Sequence, residues 1–309
     1  MSSKPLVSIL INNYNYGRFL KDAIDSALNQ TYKNIEVIVV DDGSTDNSQE
    51  TIEAYGNSIV SIFKENGGQA SAFNTGYMHS HGEIICFLDA DDIFEEKKVE
   101  EVVASFEKRS DLGWHFHTLH SIGEDSQDHI DNCENISDSE IYDLRIHISR
   151  GRLEGCSPLR LETATSGMSF KRTLLKNLLP MSETIKITAD DYLKYAALGT
   201  SIGVFSFQKL SRQRIHRNNF YTYRNDQKIT QSKVQLLTAY QLRKNHEQLS
   251  KFSHNLFSLG ISLNWWAGAN SIKLKDNETF QIYLKDLSFF EKLKIYLKAI
   301  YYRYIRYYI

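Results

Sequence analysis

In the stretch Cys86-Phe87-Leu88-Asp89-Ala90-Asp91-Asp92, an apolar strand runs directly into three carboxylates. Like charges at this spacing raise each other's pKa. Two arrangements relieve the repulsion. One is a solvated turn that caps a helix. The other is a divalent cation such as Mg²⁺ or Mn²⁺, which usually brings a substrate phosphate with it. The stretch alone leaves both open.

The same strand-then-polar pattern occurs at the preceding strands. Apolar, β-branched runs that predict buried strands lie at 6–11, 35–40, 58–63 and 84–88. Helical spacing of apolar residues between them predicts an α/β fold, a mostly parallel sheet with helices on both faces. Ligands of such sheets lie beyond the carboxyl ends of the strands. The polar clusters at 12–14, 41–42 and 89–92 are therefore expected to converge on one crevice.

Composition excludes several classes of protein. The 309 residues carry a formal charge of -2 and no Lys/Arg-rich stripe, which argues against nucleic-acid binding. Three cysteines, Cys86, Cys133 and Cys156, lack metal-ligand spacing and are typical of reduced cytosolic thiols. No apolar run is long enough to span a membrane and the N-terminus is not apolar, so we expect no span, no signal peptide and a cytoplasmic location.

Phosphate-binding motifs of other α/β proteins are missing. Neither a G-x-x-x-x-G-K-[ST] loop nor a G-x-G-x-x-G after the first strand occurs. A nucleotidyltransferase would need a basic loop near residues 12–17, where only Arg18 is close. A receiver-like signalling module would gather acids such as Asp41 and Asp42, but it would leave Asp191 and the C-terminal helices unexplained.

Two segments carry a specific resemblance. The segment Val7 to Ser48 contains NNYN and LNQTYKNIEVIVVDDGSTDNS, and the segment from Glu65 to Asp92 contains ENGGQASAFNTGY and GEIICFLDADD. Together they resemble the start of a family 2 glycosyltransferase, densely over about the first hundred residues. The resemblance implies a GT-A fold, a nucleotide-diphosphate sugar donor, a divalent metal (Mn²⁺ or Mg²⁺) and inversion at the anomeric carbon. UDP is the nucleotide that the family favours.

The resemblance also implies roles for the donor-side residues. Asn12, Tyr14 and Asp42 match the residues that hold the nucleotide base in the family. Asp89, with Ala90, matches the position near the ribose, and Asn74 matches a further motif position on the donor side. Asn74 is interpreted as shaping a loop or contacting the nucleotide. Phe73 stands where many members have Arg, which removes a cationic contact to the donor.

Metal, base and phosphate roles follow in the same way. Asp91 matches the metal ligand, and His216, in a segment similar to R-x-H-x-x-N, is a second candidate for metal or phosphate. Arg214 would pair with phosphate, as guanidinium does well. Asp191 matches the catalytic base and Asp190 is its alternative. Both lie in the first turn of a predicted helix. The helix dipole stabilises acidic side chains there, so their presence has an explanation that requires no catalytic role.

Two local patterns have simpler interpretations. Thr188 is expected to cap the helix that carries Asp190 and Asp191. His115 and His117 share one face of a predicted strand, and polar strand residues with satisfied ring nitrogens are favoured over a metal pair. Acidic residues between 124 and 143 predict a solvated loop or a loosely ordered insertion.

The chain is expected to divide into a GT-A domain at 1–222 and a helical extension at 223–309. In residues 289–309, one helical face carries Phe289, Leu293, Tyr296, Leu297, Ile300, Tyr301 and Tyr304, and another carries Lys292, Lys298, Arg303 and Arg306. This pattern is typical of a helix on an anionic membrane surface. The alternative is that the stripe packs on the catalytic domain or on a second subunit in a homodimer.

The whole sequence thus predicts a metal-dependent inverting glycosyltransferase. Its acceptor is expected to be a glycan or lipid-linked glycan of a bacterial cell-surface polysaccharide pathway. The expected location is the cytoplasm, and contact of residues 289–309 with the inner face of the plasma membrane is one of the two alternatives for that helix. The competing hypothesis is an inactive homologue that binds nucleotide sugar as a scaffold or sensor.

Overall fold

A computed structural model describes residues 4–123, 139–151, 163–216, 219, 226–268 and 271–304. Clustering of contacts divides the chain into two compact units. Unit 1 is Met1–Asp143 with Leu159–His216, and unit 2 is Leu144–Pro158 with Arg217–Ile309. The predicted boundary at residue 222 lies outside the described residues. So do Cys133, Cys156 and Arg306, whereas Cys86 is a buried free thiol.

Unit 1 begins with alternating strands and helices. In chain order they are β1 Val7–Asn13, α1 Gly17–Leu28, β2 Ile35–Asp41, α2 Ser48–Glu53, β3 Val60–Phe63, α3 Gln69–His79 and β4 Ile84–Asp89. Each of the four predicted strands is present. They pair in parallel, β2 with both β1 and β3, and β1 with β4. The prediction of a parallel sheet is confirmed for this half of the molecule.

The second half of the sheet is mixed. Its strands are β5 Ile93–Phe94, β6 Leu112–Ile122, β7 Ser139–Tyr142, β8 Met168–Lys171 and β9 Ile202–Arg214. The described strands form one sheet in the order β3-β2-β1-β4-β8-β6-β9-β5, with β7 also paired to β9. β8 is antiparallel to both β4 and β6, while β6 and β9 are parallel. The remaining helices of unit 1 are α4 Lys98–Lys108, α6 Arg172–Leu175 and α7 Ala189–Thr200.

Helices cover both faces of the sheet. Side chains alternate along a strand, so Ile9 and Cys86 share one buried cluster with residues of α1 and α4. On the opposite face, Phe87 of β4 packs on Phe73 of α3, with ring centroids 4.6 Å apart. Phe73 is 1% exposed, so it belongs to the core and not to a donor site.

Unit 2 is helical. Its helices are α5 Arg145–Ser149, α8 Gln227–Asn245, α9 Ser250–Trp266, α10 Glu278–Lys285 and α11 Phe289–Tyr304. α11 packs on α9 through Ile295, Ala299 and Tyr302, which are at most 4% exposed. The apolar stripe predicted for this helix is a different face, and it is exposed. Within unit 2, the other described helices therefore leave the stripe uncovered. None of the described helices is long and apolar enough to cross a membrane.

Candidate active site

The acidic cluster lies where the sequence predicts it, at the carboxyl end of β4. Its neighbours follow from strand register, because Asn12 of β1 stands opposite Asp89 and Asn13 stands opposite Asp41 of β2. Asn12 Nδ2 donates a hydrogen bond to Asp89 Oδ1 at 2.9 Å. The ends of three parallel strands thus bring their polar side chains to one edge of the sheet.

The acids of the cluster repel one another. Burial, followed by the negative charge of Asp91, raises the pKa of Asp89 to about 7, although hydrogen bonds from Asn12, Thr165 and Gln69 act in the opposite direction. Asp91 is 8% exposed. This electrostatic state is what a cation would relieve, since a nearby positive charge favours the ionised carboxylates.

Both carboxylate oxygens of Asp92 accept hydrogen bonds from within unit 1. Ser166 Oγ donates to Asp92 Oδ2 at 2.6 Å, and the Arg214 backbone N–H donates to Asp92 Oδ1 at 2.9 Å. Ser166 Oγ in turn accepts from the Asp89 backbone N–H at 3.1 Å. Burial and the charges of Asp91 and Asp89 raise the pKa of Asp92 well above its usual range. Asp92 therefore joins the end of β4 to the end of β9.

His216 stands beside Asp91. His216 Nε2 lies 3.2 Å from Asp91 Oδ2, and its ring packs on Phe19 with centroids 4.6 Å apart. Arg18 Nη2 lies 3.3 Å from His216 Nδ1. Since arginine only donates, Nδ1 accepts and Nε2 donates to Asp91. Burial and the charges of Arg18 and Arg214 lower the pKa of His216, in agreement with this neutral ring.

Arg214 is already paired in this structure. Its Nη2 lies 2.7 Å from Asp22 Oδ2, its Nε donates to the Asp91 backbone carbonyl at 3.1 Å, and its guanidinium lies over the Phe19 ring. The structure thus places Arg214 next to the acidic cluster. Arg18 and Phe19 lie beside it, and neither was among the predicted site residues.

The predicted base-binding residues differ in their surroundings. Tyr14 is 47% exposed, whereas Asp42 is 3% exposed. Asp42 accepts from Lys64 Nζ at 2.6 Å and from the backbone N–H groups of Gly67 and Gly68 at 2.9 and 2.7 Å. Asp42 therefore holds the turn before α3. Gly68 is required there, because its φ is 87° and a Cβ would lie 2.8 Å from the Cα of Lys186.

Two roles were predicted for Asn74, and its hydrogen bonds to Met181 are of the kind that shapes a loop. Its Nδ2 donates to the Met181 carbonyl at 2.8 Å, and its Oδ1 accepts from the Met181 N–H at 2.9 Å. Ala90, between the two acids of the cluster, is 1% exposed, so its side chain is fully enclosed. Asn12 Oδ1, by contrast, is buried and has no hydrogen-bond partner within the described part of the chain.

Both acids of α7 interact with Lys194, and Asp191 forms the direct ion pair. Lys194 Nζ lies 2.8 Å from Asp191 Oδ1, and both side chains are 17% exposed. Burial and then the charge of Asp191 raise the pKa of Asp190 to about 7, and Asp89 contributes in the same direction. Asp190 is thus within electrostatic reach of the acidic cluster.

Thr188 precedes α7 but does not cap it, contrary to the prediction. Its backbone is left-handed, with φ of 51°, and its hydroxyl donates to the Ile187 carbonyl. Gln69 takes the capping place instead, because its Oε1 accepts from the Ala189 N–H at 2.9 Å. A long-range side chain therefore fixes the start of the helix that carries the acids.

His115 and His117 of β6 lie in the core. They are 1% and 0% exposed, with ring centroids 6.2 Å apart. Among the described residues, no group of three or more His, Cys, Asp or Glu could hold a metal ion by itself. His117 Nδ1 bonds to the Thr118 carbonyl oxygen at 2.7 Å, whereas His115 Nδ1 is buried without a hydrogen-bond partner among the described residues.

Comparison with known proteins identifies the family. The family model described as glycosyl transferase family 2 matches residues 8–162, half of the chain. The chain belongs to glycosyl transferase family 2. An uncharacterized glycosyltransferase of Nostoc sp. is 34% identical over 218 residues, which cover 69% of this chain and 66% of that protein. The chain thus spans just under two thirds of that relative's length.

Solved structures agree on the fold. Staphylococcus aureus TarS 1-349 superposes with a TM-score of 0.58 at 15% identity, covering 96% of this chain and 91% of that one. TarS is also known in complex with UDP and with UDP-GlcNAc. A mannosyltransferase from Pyrobaculum calidifontis in complex with GDP-Man and Mn²⁺ has a TM-score of 0.55 at 14% identity, covering 98% and 88%. This family 2 member therefore has the GT-A fold that the sequence predicted.

The family match includes Asn12, Asp42, Asn74, Asp89 and Asp91. It ends before the acids of α7 and before the end of β9. Sequence reasoning missed Gln69, Lys64 and Ser166, each of which positions a predicted site residue. The only available signal was that Gln69 lies within the segment ENGGQASAFNTGY, which resembles the family's motifs.

Proposed function

We propose that this family 2 glycosyltransferase moves a sugar from a nucleotide-diphosphate donor, with UDP as the nucleotide, to an acceptor hydroxyl with inversion. The observation that carries the proposal is that charged side chains of several elements come together. Asp91 and His216 stand 3.2 Å apart at the carboxyl end of β4, and the charge of Asp89 in the same cluster reaches Asp190 of α7. Donor binding, cation binding and catalysis by a general base therefore each have candidate residues around one crevice.

Asp91 and His216 fit a divalent cation, Mn²⁺ or Mg²⁺. Two ligands at right angles around an octahedral ion are about 3 Å apart, close to the 3.2 Å between Asp91 Oδ2 and His216 Nε2. A bound cation would act as a Lewis acid on the leaving diphosphate. For His216 to bind it through Nε2, the ring proton must move to Nδ1 and Arg18 must turn away. Arg214 would then exchange Asp22 for a phosphate oxygen.

Asn12, Tyr14 and Asp42 would bind the base. The support is the buried Asn12 Oδ1, an acceptor that lacks a donor within the described residues and that a base N–H would satisfy. Tyr14 is exposed enough to stack on a base. Asp89 and Ala90 would lie along the ribose, while Asn74 would act indirectly through the Met181 loop.

Asp191 would remove the proton of the attacking hydroxyl. The Lys194 ammonium at 2.8 Å holds this carboxylate in place. Attack from the face opposite the leaving diphosphate gives inversion in one displacement. Asp190 remains the alternative base, and its support is a pKa of about 7, near the value that suits a general base at neutral pH.

The wider biological role is proposed from the family. The acceptor is a glycan or lipid-linked glycan of bacterial cell-surface polysaccharide synthesis, and the reaction takes place in the cytoplasm. Residues 1–222 form the transferase domain and residues 223–309 the helical extension. Through residues 289–309 the extension contacts the inner face of the plasma membrane, with a homodimer as the competing use of that helix.

Calorimetric titration tests the donor site. UDP, GDP, TDP and CMP are each titrated with and without Mn²⁺, and we expect metal-dependent micromolar binding of UDP. Asp91→Ala should abolish the metal-dependent part. Asp111→Ala is the control, because this exposed acid precedes β6 at the opposite edge of the sheet. Unchanged affinity of Asp91→Ala in the presence of Mn²⁺ would contradict the metal assignment.

Measurement of kcat tests the assignment of the catalytic base. Asp191→Asn is expected to lose about 10²- to 10⁴-fold in kcat with nucleotide affinity retained. If Asp190→Asn shows that loss and Asp191→Asn does not, the base is Asp190. Donor binding by the wild type without transfer or donor hydrolysis would support the scaffold or sensor hypothesis instead.

A further inference from the structure

α11 exposes a continuous apolar stripe. Its members are Phe289, Leu293, Leu297, Ile300 and Tyr304, between 43% and 74% exposed. Their spacing follows successive helical turns, so they lie on one face. Half of the exposed large apolar side chains of the described residues belong to this one helix. An apolar patch of this kind marks an interaction surface.

A pocket of basic and apolar residues lies at the start of the same helix. It is open, has a volume of about 470 Å³, and is lined by Lys275, Phe280, Gln281, Ile282, Leu284, Lys285 and Lys292. We call it the lysine pocket, since three of its lining residues are lysines and none is acidic. Asp276 and Asp286 neighbour it in sequence without lining it. The pocket therefore offers ammonium groups beside an apolar wall.

Further cations flank the stripe. Lys298 Nζ lies 5.5 Å from the ring centroids of both Tyr301 and Tyr302, and the Arg303 guanidinium lies over Tyr304 and Trp265 of α9. Glu291 is the one acid of α11, and its carboxylate accepts from the backbone and hydroxyl of Ser288 at the helix start. Tyr, Trp and basic side chains together are typical of the membrane–water interface.

The charge distribution favours a membrane over a second copy of the chain. A two-fold dimer places the same patch against itself, so two surfaces of the same positive sign would meet. Like charges across an interface are unfavourable. An anionic lipid surface presents the opposite sign to every lysine and an apolar interior to the stripe.

We propose that the stripe and the lysine pocket together bind an anionic membrane. In this arrangement a phospholipid phosphate lies among Lys275, Lys285 and Lys292, and the stripe enters the boundary between headgroups and acyl chains. The inference deepens the proposed membrane contact of residues 289–309 by naming its ligand, a lipid phosphate. It requires neither donor binding nor sugar transfer, so it can fail without affecting the transferase proposal.

Vesicle flotation with the full-length protein tests the inference. Vesicles of phosphatidylcholine alone are compared with vesicles of equal parts phosphatidylcholine and phosphatidylglycerol. The lysine-pocket variant combines Lys275→Glu, Lys285→Glu and Lys292→Glu. The matched control combines Lys97→Glu, Lys108→Glu and Lys176→Glu, three exposed lysines of unit 1. A basic residue near an anionic surface contributes about fivefold in affinity, so the pocket variant should bind about 100-fold more weakly or not at all.

The stripe is tested separately with Phe289→Ser combined with Leu297→Ser. We expect this variant to lose binding as well, while the control binds like the wild type. The inference is overturned if the wild type floats with neither vesicle, or if the pocket variant floats like the wild type. It is also overturned if sedimentation velocity shows a dimer that the stripe variant dissociates and no vesicle binding occurs. Unchanged circular dichroism of each variant establishes that unit 2 remains folded.

Discussion

Burial makes His115 a source of pH-dependent stability. Desolvation in the core, with the charge of Lys98 as a smaller cause, lowers the pKa of His115 to about 3. In the unfolded chain its pKa is about 6.5. Between these values the unfolded state binds a proton that the folded state does not, so stability is complete above pH 6.5 and decreases as the pH falls.

The variant His115→Leu should remove this dependence. Between pH 7 and pH 5 we expect the free energy of unfolding of the wild type to decrease by about 2 kcal/mol more than that of the variant. Denaturant unfolding at the two pH values measures the difference. Parallel losses in both proteins would show that His115 is charged or exposed in the folded state. His117 is unchanged in the variant, so its own contribution cancels in the comparison.

Also at the scale of single residues, Asp91 and Asp92 show which features of the site the sequence does not predict. The cluster was predictable, because an apolar run followed by acids is a local pattern. Which carboxylate accepts hydrogen bonds from Ser166 and the Arg214 backbone was not, since adjacent residues of one type give the same signal. The orientation of Asp92 depends on Ser166 and Arg214, 74 and 122 residues further along the chain.

At the scale of helices and strands, side chains of α3 determine where α7 begins. The Gln69 N–H donates to the Lys186 carbonyl at 2.9 Å, and Gln69 Oε1 accepts from the first residue of α7, Ala189. One helical turn beyond, Asn74 holds the Met181 backbone through both ends of its amide. The segment that leads to the candidate base is therefore fixed by two side chains of α3.

Asn74→Ala should reduce turnover more than nucleotide affinity. The loss leaves a buried carbonyl and N–H of Met181 without partners, which costs about 1–3 kcal/mol of stability and loosens the path to Asp191. The measurements are kcat and the calorimetric Kd of UDP with Mn²⁺. Asn177→Ala, at an exposed asparagine of unit 1, is the control. Equal losses in kcat and affinity would instead place Asn74 at the nucleotide.

Elements also show why half of the sheet was predictable. Strands β1 to β4 follow one another through helices, and short crossovers of this kind impose parallel pairing. Strands β6, β8 and β9 are joined by long segments, so their order and direction depend on packing that periodicity does not encode. Likewise, the helical pattern predicted the apolar stripe of α11, but the residues that α9 covers are Ile295, Ala299 and Tyr302.

For the molecule as a whole, the division into units follows contacts that no local pattern contains. Residues 144–158 lie between parts of unit 1 in sequence, yet they cluster with the C-terminal helices. Asn255 Nδ2 of α9, for example, donates to the Gly151 carbonyl. The nucleotide and membrane proposals concern different units, so one experiment on the intact chain can examine both.

Hydrogen exchange with each ligand should protect different parts of the chain. Nucleotide at 100 times its Kd stabilises the state that binds it by about 2.7 kcal/mol. With UDP and Mn²⁺ we therefore expect slower exchange at residues 41–44, 89–92 and 214–216, and no change in α8 to α11. Anionic vesicles should slow exchange at residues 275–304 and leave the strand ends unaffected.

Peptide-level mass spectrometry of the full-length protein resolves the two patterns. The Asp91→Ala variant serves as the control for the nucleotide and should show vesicle protection alone. The lysine-pocket variant should show nucleotide protection alone. Protection of α8 to α11 by the nucleotide would contradict the separation and would show that donor binding changes the helical unit. If vesicles instead slowed exchange at residues 89–92, the membrane would act on the donor site, and the two proposals would have to be treated as one.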